Sequence, residues 1–246
     1  MNQRRLGWEV LLVLGVSLGQ SAVYAVVRLA DMLSRGPLSE AQARMNTSQS
    51  ERPWFDLTYQ LLGIGFALVP VLLALYLLAR EGNPFDRMGF DFRRPRRDAL
   101  HGVLLLLAIG IPTLGVYAAG RALGLTAEIH PANLGAHWWT VPVLILAAVK
   151  NGVLEEVLVV GYLSERLREM RWGWPVIIGV SALLRGSYHL YQGIGPFFGN
   201  VAMGVLFGLY YMRTGRVMPL VAAHTAIDVI GFTAPGVLAA VDPTSS

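Results

Sequence analysis

The sequence predicts an all-α fold, a polytopic membrane helix bundle of about seven transmembrane helices, and three observations carry that prediction. Of 246 residues, 54% are hydrophobic and only 15% are charged, a balance too apolar for a soluble domain of this length. The mean hydropathy is +0.50. Apolar runs of about 20 residues, the length that crosses a bilayer, recur between short polar loops. The absence of cysteine excludes thiol catalysis, disulfides and cysteine-ligated zinc. A pI near 9.6 does not indicate nucleic acid, because the basic residues gather in short loops rather than on one helix face or tail.

Taken in order, the expected spans are 7–30, 54–79, 99–124, 139–163, 175–191, 196–213 and 217–236. The first follows Arg4 and Arg5 and has the outline of a signal peptide ending in AVYA, but Glu9 and the length of the run predict a retained helix. Loops 31–53 and 80–98 are the longer ones, and the second, FDRMGFDFRRPRRD, is a basic segment that sets topology and can lie against anionic lipid. Gly193, Gly195 and Pro196 mark a tight turn between spans five and six. With the N-terminus inside, cytoplasmic segments hold thirteen basic residues and the opposite side five (Arg28, Arg35, Arg44, Arg52 and Arg121). The positive-inside rule therefore predicts a multi-pass cell-membrane protein with a cytoplasmic N-terminus. Arginine supplies nineteen of the twenty basic residues, which hints at a GC-rich bacterial genome. The chain divides into a variable front half (1–137), a part that carries chemistry (138–236) and a short tail (237–246).

Five ionisable residues interrupt the later spans: Glu155 and Glu156 in VLEEVLVV, His189 in RGSYHL, and His224 with Asp228 in AAHTAID. Each is costly in a bilayer unless it faces a partner or a water-filled cavity, so each is a candidate functional group. His224 and Asp228, spaced i, i+4, share a helix face. Adjacent Glu155 and Glu156 diverge by about 100° and do not both point at one small target. By depth the five can meet in a polar cavity between the midplane and the cytoplasmic face. Lys150 and Asn151, about one turn before the pair, suit charge compensation and interhelical hydrogen bonding.

Paired glutamates in one membrane helix, a lone histidine in the next and a final H-x-x-x-N/D resemble the CAAX protease and bacteriocin-processing family of intramembrane endopeptidases, also called the Abi family. The family pattern is E-E-x-x-x-R, F-x-x-x-H and H-x-x-x-N/D. The resemblance covers roughly residues 139–236 and maps the motifs onto Glu155, onto His189, and onto His224 with Asp228. Two positions depart from it: Val160 stands where the motif has arginine and Arg185 where it has phenylalanine. An arginine at 160 would lie i+4 from Glu156. Its loss would leave Glu156 with an uncompensated burial cost. The expectation is that Arg185 supplies the charge from the neighbouring span, in a Glu156–Arg185 pair.

The resemblance implies peptide-bond hydrolysis by an activated water. Glu155 is the candidate general base. His189 would position the water or protonate the leaving amine, while His224 and Asp228 would stabilise the oxyanion or hold a divalent ion. No firmly bound cofactor is expected. Should an ion such as zinc bind, Glu155, His189, His224 and Asp228 are its candidate ligands, although H-E-x-x-H is absent. The expected partners are a peptide or membrane-protein substrate and the lipid bilayer. Two other classes stay open: a proton-coupled transporter, because carboxylates and histidines also build proton relays, and a catalytically silent peptide-binding scaffold, to which Val160 points.

Overall fold

A computed structural model describes residues 2–241, with side chains through residue 234, and is nearly all helical. From residue 242 onward the expected tail lies outside the described residues. The first apolar run folds as two helices, α1 (Gln3–Gly15) and α2 (Leu18–Arg35), bent by 56°. Ser17 at the break leaves helical backbone (φ −143°, ψ −126°), and its hydroxyl donates to the Val13 carbonyl at 2.6 Å. Such back-bonding beside a glycine is a common origin of a sharp kink.

Helices α3 (Pro53–Ala67) and α4 (Val69–Leu78) run end to end and are followed by the short α5 (Pro84–Met88) and by α6 (Pro95–Ala122). Helix α7 (Thr140–Glu155) passes through a π-helical segment, Glu156–Tyr162, into α8 (Leu163–Glu169). Then come α9 (Trp174–Tyr188), α10 (Ile194–Thr214) and α11 (Met218–Val241). Proline occupies the first turn of α3, α5, α6 and α9, where the amide it lacks has no intrahelical partner anyway.

Pro53–Glu81, Pro95–Ala122 and Ile194–Thr214 are each long and apolar enough to cross a membrane, and α1 with α2 makes a fourth if the bent pair is one span. By length and composition, then, three or four spans are found among the described residues, against about seven expected from sequence. The outward faces carry large apolar side chains such as Phe66, Leu114 and Phe198, as a lipid-facing surface requires.

Successive rods run between two ends of the bundle. At one end Arg166 meets Glu9 (2.7 Å), Glu81 (2.9 Å) and Glu169 (2.8 Å), and Arg87 meets Glu165 (2.9 Å) and Glu169 (2.6 Å). Arg216 there bridges Asp91 (3.0 Å) and Asp98 (2.5 Å). Gly89, with φ +57°, closes α5 so tightly on Arg216 that a Cβ would lie 2.7 Å from its Cα. At the other end two short strands, β1 (Gln42–Arg44) and β2 (Glu128–His130), pair in parallel, and Arg121 donates to the Ser39 and Thr126 carbonyls. The strand pair departs from the all-helical expectation. Two loops brought to the same end satisfy each other's backbone groups.

Inside, α9 packs on α10 and α2, while α11 lies between α7 and α6. These contacts place the polar residues of α7, α9 and α11 in the interior.

Candidate active site

Small residues let the helices carrying the polar groups approach closely, as they do in membrane bundles. A Cβ on Gly152 would lie 2.5 Å from Oγ1 of Thr225 and 3.0 Å from the Val221 carbonyl oxygen, so α7 and α11 touch beside His224. A Cβ on Gly204 would lie 2.7 Å from Cα of Ala182 and 3.4 Å from Cδ of Arg185, which ties α10 to α9.

Glu156 and Arg185, both fully buried, meet in this interior: Nη2 of Arg185 donates to Oε1 of Glu156 at 2.6 Å. The same oxygen lies 2.6 Å from Nδ1 of His224, a contact that needs the proton on Nδ1. The ring is thereby fixed with Nε2 toward Asp228, 3.8 Å from Oδ1. Arg185 also stacks over the Phe207 ring at 5.4 Å, a favourable setting for a guanidinium away from water. Val160 is wholly buried among apolar neighbours.

Glu155 presents Oε2 to three groups. The Tyr188 hydroxyl donates to it at 2.7 Å, Nη1 of Arg185 lies 3.7 Å away and Nε2 of His189 3.8 Å away. Adjacent glutamates were expected to diverge too far to address one small target, yet both reach Arg185. The planar guanidinium is wide enough to present a separate nitrogen to each. Both ring nitrogens of His189 are buried without a hydrogen-bond partner. Asp228 accepts from Asn151 at 2.8 Å, and Lys150 donates to the Asn151 side chain.

His189 was expected within span five; it caps α9 instead (φ −96°, ψ −1°), ahead of a single 3₁₀ turn and Gly193 at φ +110°. Its ring is therefore held by the end of a helix and can approach Glu155 from above the last turn. Tyr188 was missed by the sequence reading. A tyrosine is an ordinary residue in an apolar helix, and only its place beside the motif histidine pointed there. Among the described residues no three His, Asp or Glu side chains are arranged to hold a metal ion. Nε2 of His189 lies nearest Glu155, whereas Nε2 of His224 is directed toward Asp228.

A cavity of about 1010 Å³ borders the site at Tyr188, with Tyr191 also in its wall alongside Tyr24, Arg28 and Arg35 of α2 and the 36–42 segment. The cavity runs along the second half of α2, which packs against α9, toward the end that carries β1 and β2.

No curated protein and no solved structure matches the chain. Residues 137–230, which contain Glu155, Glu156, Arg185, Tyr188, His189, His224 and Asp228, match the family model described as type II CAAX prenyl endopeptidase Rce1-like, in agreement with the CAAX protease family that the three motifs resemble.

Proposed function

We propose that the protein is an intramembrane endopeptidase in which Glu155 activates a water for attack on a peptide bond. The observation that carries the reading is the meeting of Glu155 and His189: a carboxylate oxygen and an imidazole nitrogen stand 3.8 Å apart, too far for a direct hydrogen bond, and a slight widening of this gap would admit the attacking water. Glu155 takes a proton from that water as its oxygen bonds to the carbonyl carbon. The tetrahedral oxyanion forms beside His224 and Asp228, whose mutual orientation is set by Glu156. The C–N bond then breaks, and the amine leaves with a proton returned by Glu155 or by His189. No step needs a metal ion, and zinc content after dialysis of the purified protein tests that point.

Arg185 supplies the positive charge that Val160 does not, which favours an active enzyme over a silent scaffold. We further propose that the chain crosses the membrane seven times, with the arginine-rich end cytoplasmic. The substrate would be a peptide or membrane protein entering along the cavity beside α2. The decisive experiment is cleavage of a quenched peptide library, lipidated members included, by purified wild type and Glu155→Gln. Loss of cleavage by at least about a hundredfold in a variant that folds normally is expected for removal of the base. Equal cleavage by both proteins would overturn the assignment.

A further inference from the structure

Oε2 of Glu155 is the atom on which the site converges, yet the one group hydrogen-bonded to it among the described residues belongs to none of the three motifs. The Tyr188 hydroxyl holds that oxygen at 2.7 Å, and the same side chain, 5% exposed, contributes to the wall of the cavity. Tyr188 therefore stands between the space where a peptide would lie and the carboxylate that would activate the attacking water. Arg185 and His189 face the same oxygen from 3.7 and 3.8 Å, too far for hydrogen bonds.

We propose that Tyr188 is a further catalytic residue: its hydroxyl latches Glu155 in the resting site and is drawn off by the substrate's carbonyl oxygen, which it then stabilises as an oxyanion. The proposal rests on Glu155 being the base. While the hydroxyl occupies Oε2, the carboxylate is a weaker acceptor for a water proton. A peptide carbonyl offers the hydroxyl a second acceptor and frees that lone pair. Oε2 then takes the proton of the water that it shares with His189. The water oxygen bonds to the carbonyl carbon, and the C=O π pair moves onto oxygen. Tyr188 donates a hydrogen bond to this oxyanion and keeps its own proton throughout. When the pair returns, the C–N bond breaks and the amine departs with the proton that Glu155 held. One water and one peptide bond yield one carboxyl group and one amine.

The test compares full-length wild type, Tyr188→Phe, Tyr188→Gln and Glu155→Gln in the quenched-peptide assay. It also measures binding of a peptide phosphinate, which mimics the tetrahedral state, and of its parent peptide. Tyr188→Phe is expected to lower kcat by about a hundredfold, the usual loss for one oxyanion donor, with KM unchanged. Phosphinate affinity should fall by a similar factor while parent-peptide affinity holds. Tyr188→Gln, which keeps a donor, is expected to recover part of kcat. A kcat within about threefold of wild type, or equal losses for phosphinate and parent peptide, would overturn the latch while leaving Glu155 in place. Cleavage that does not depend on Glu155 would overturn both readings together.

Discussion

Arg185 occupies the position where the CAAX motifs have phenylalanine, and Val160 the position where they have arginine, so the cation has moved from the helix of the glutamates to the one packed against it. That move was legible in the sequence. Two ionisable residues in neighbouring apolar runs, each otherwise uncompensated, have few partners besides each other. The 2.6 Å contact makes the exchange testable. Removing one partner from a buried ion pair costs about 3–5 kcal/mol, so Arg185→Phe is expected to lower the thermal midpoint sharply, and Val160→Arg alone to do the same by adding a second buried cation. The double variant Val160→Arg/Arg185→Phe restores the motif pattern and should be more stable and more active than either single change. A double variant that shows the sum of the two losses would mean that the positions do not share one charge. The role of Tyr188 had no such signature, because a tyrosine, uncharged and with a largely apolar ring, is an ordinary residue in an apolar helix.

At the scale of elements, the helix that carries the glutamates changes pitch at the site itself. Helix α7 ends at Glu155, and the π-helical segment begins at Glu156. Such insertions recur at functional sites. Nothing in the pattern EEVLVVGY announces it, since apolar residues on every side erase the periodicity from which pitch is read. The wider turn is supported from α9, where Oγ of Ser181 donates to the Val159 carbonyl at 2.8 Å in a fully buried contact. Ser181→Ala is expected to cost about 1–3 kcal/mol, the penalty of an unpaired buried acceptor, and to reduce cleavage although the hydrogen bond of Ser181 goes to the backbone and not to a motif side chain. Thermal unfolding read beside cleavage rates checks this; unchanged values for both would mean that the π-helical segment holds without that bond. The end of α9 was likewise placed too late from sequence, at 191 rather than Tyr188, because Tyr-His-Leu-Tyr reads as a continued apolar run.

For the whole molecule, loop 31–53 meets the segment before α7 at one end through β1 and β2, and 80–98 meets α8 and the α10–α11 connection at the other. The strand pair and the bend in the first span were not legible, because backbone pairing and a local serine back-bond leave little trace in hydropathy. The ionic end has a consequence for pH. The hydrogen bond from Arg216 holds the Asp91 carboxyl below its usual 3.8, and the hydrogen bonds to Asp98 and Asp91 raise Arg216 above the ordinary arginine range. A depressed carboxylate stabilises the fold above its unfolded value and loses that contribution as pH falls through the folded one. Wild type is therefore expected to melt higher than Arg216→Met at pH 6, with the gap closing below about pH 4. A gap that is constant from pH 6 to pH 3 would show that packing, and not the Asp91 charge, accounts for the difference.

Arg166 has no exposed surface and takes its carboxylate partners from Glu9, Glu81 and Glu169, of which only the last lies inside the stretch that matches the family. A chimaera that grafted residues 137–230 onto foreign leading helices would import a cation while leaving two of its counterions behind. The stretch recognisable by ancestry is thus shorter than the stretch that must be inherited together, and the front of this chain is constrained at Glu9 and Glu81 by a residue more than eighty positions further along.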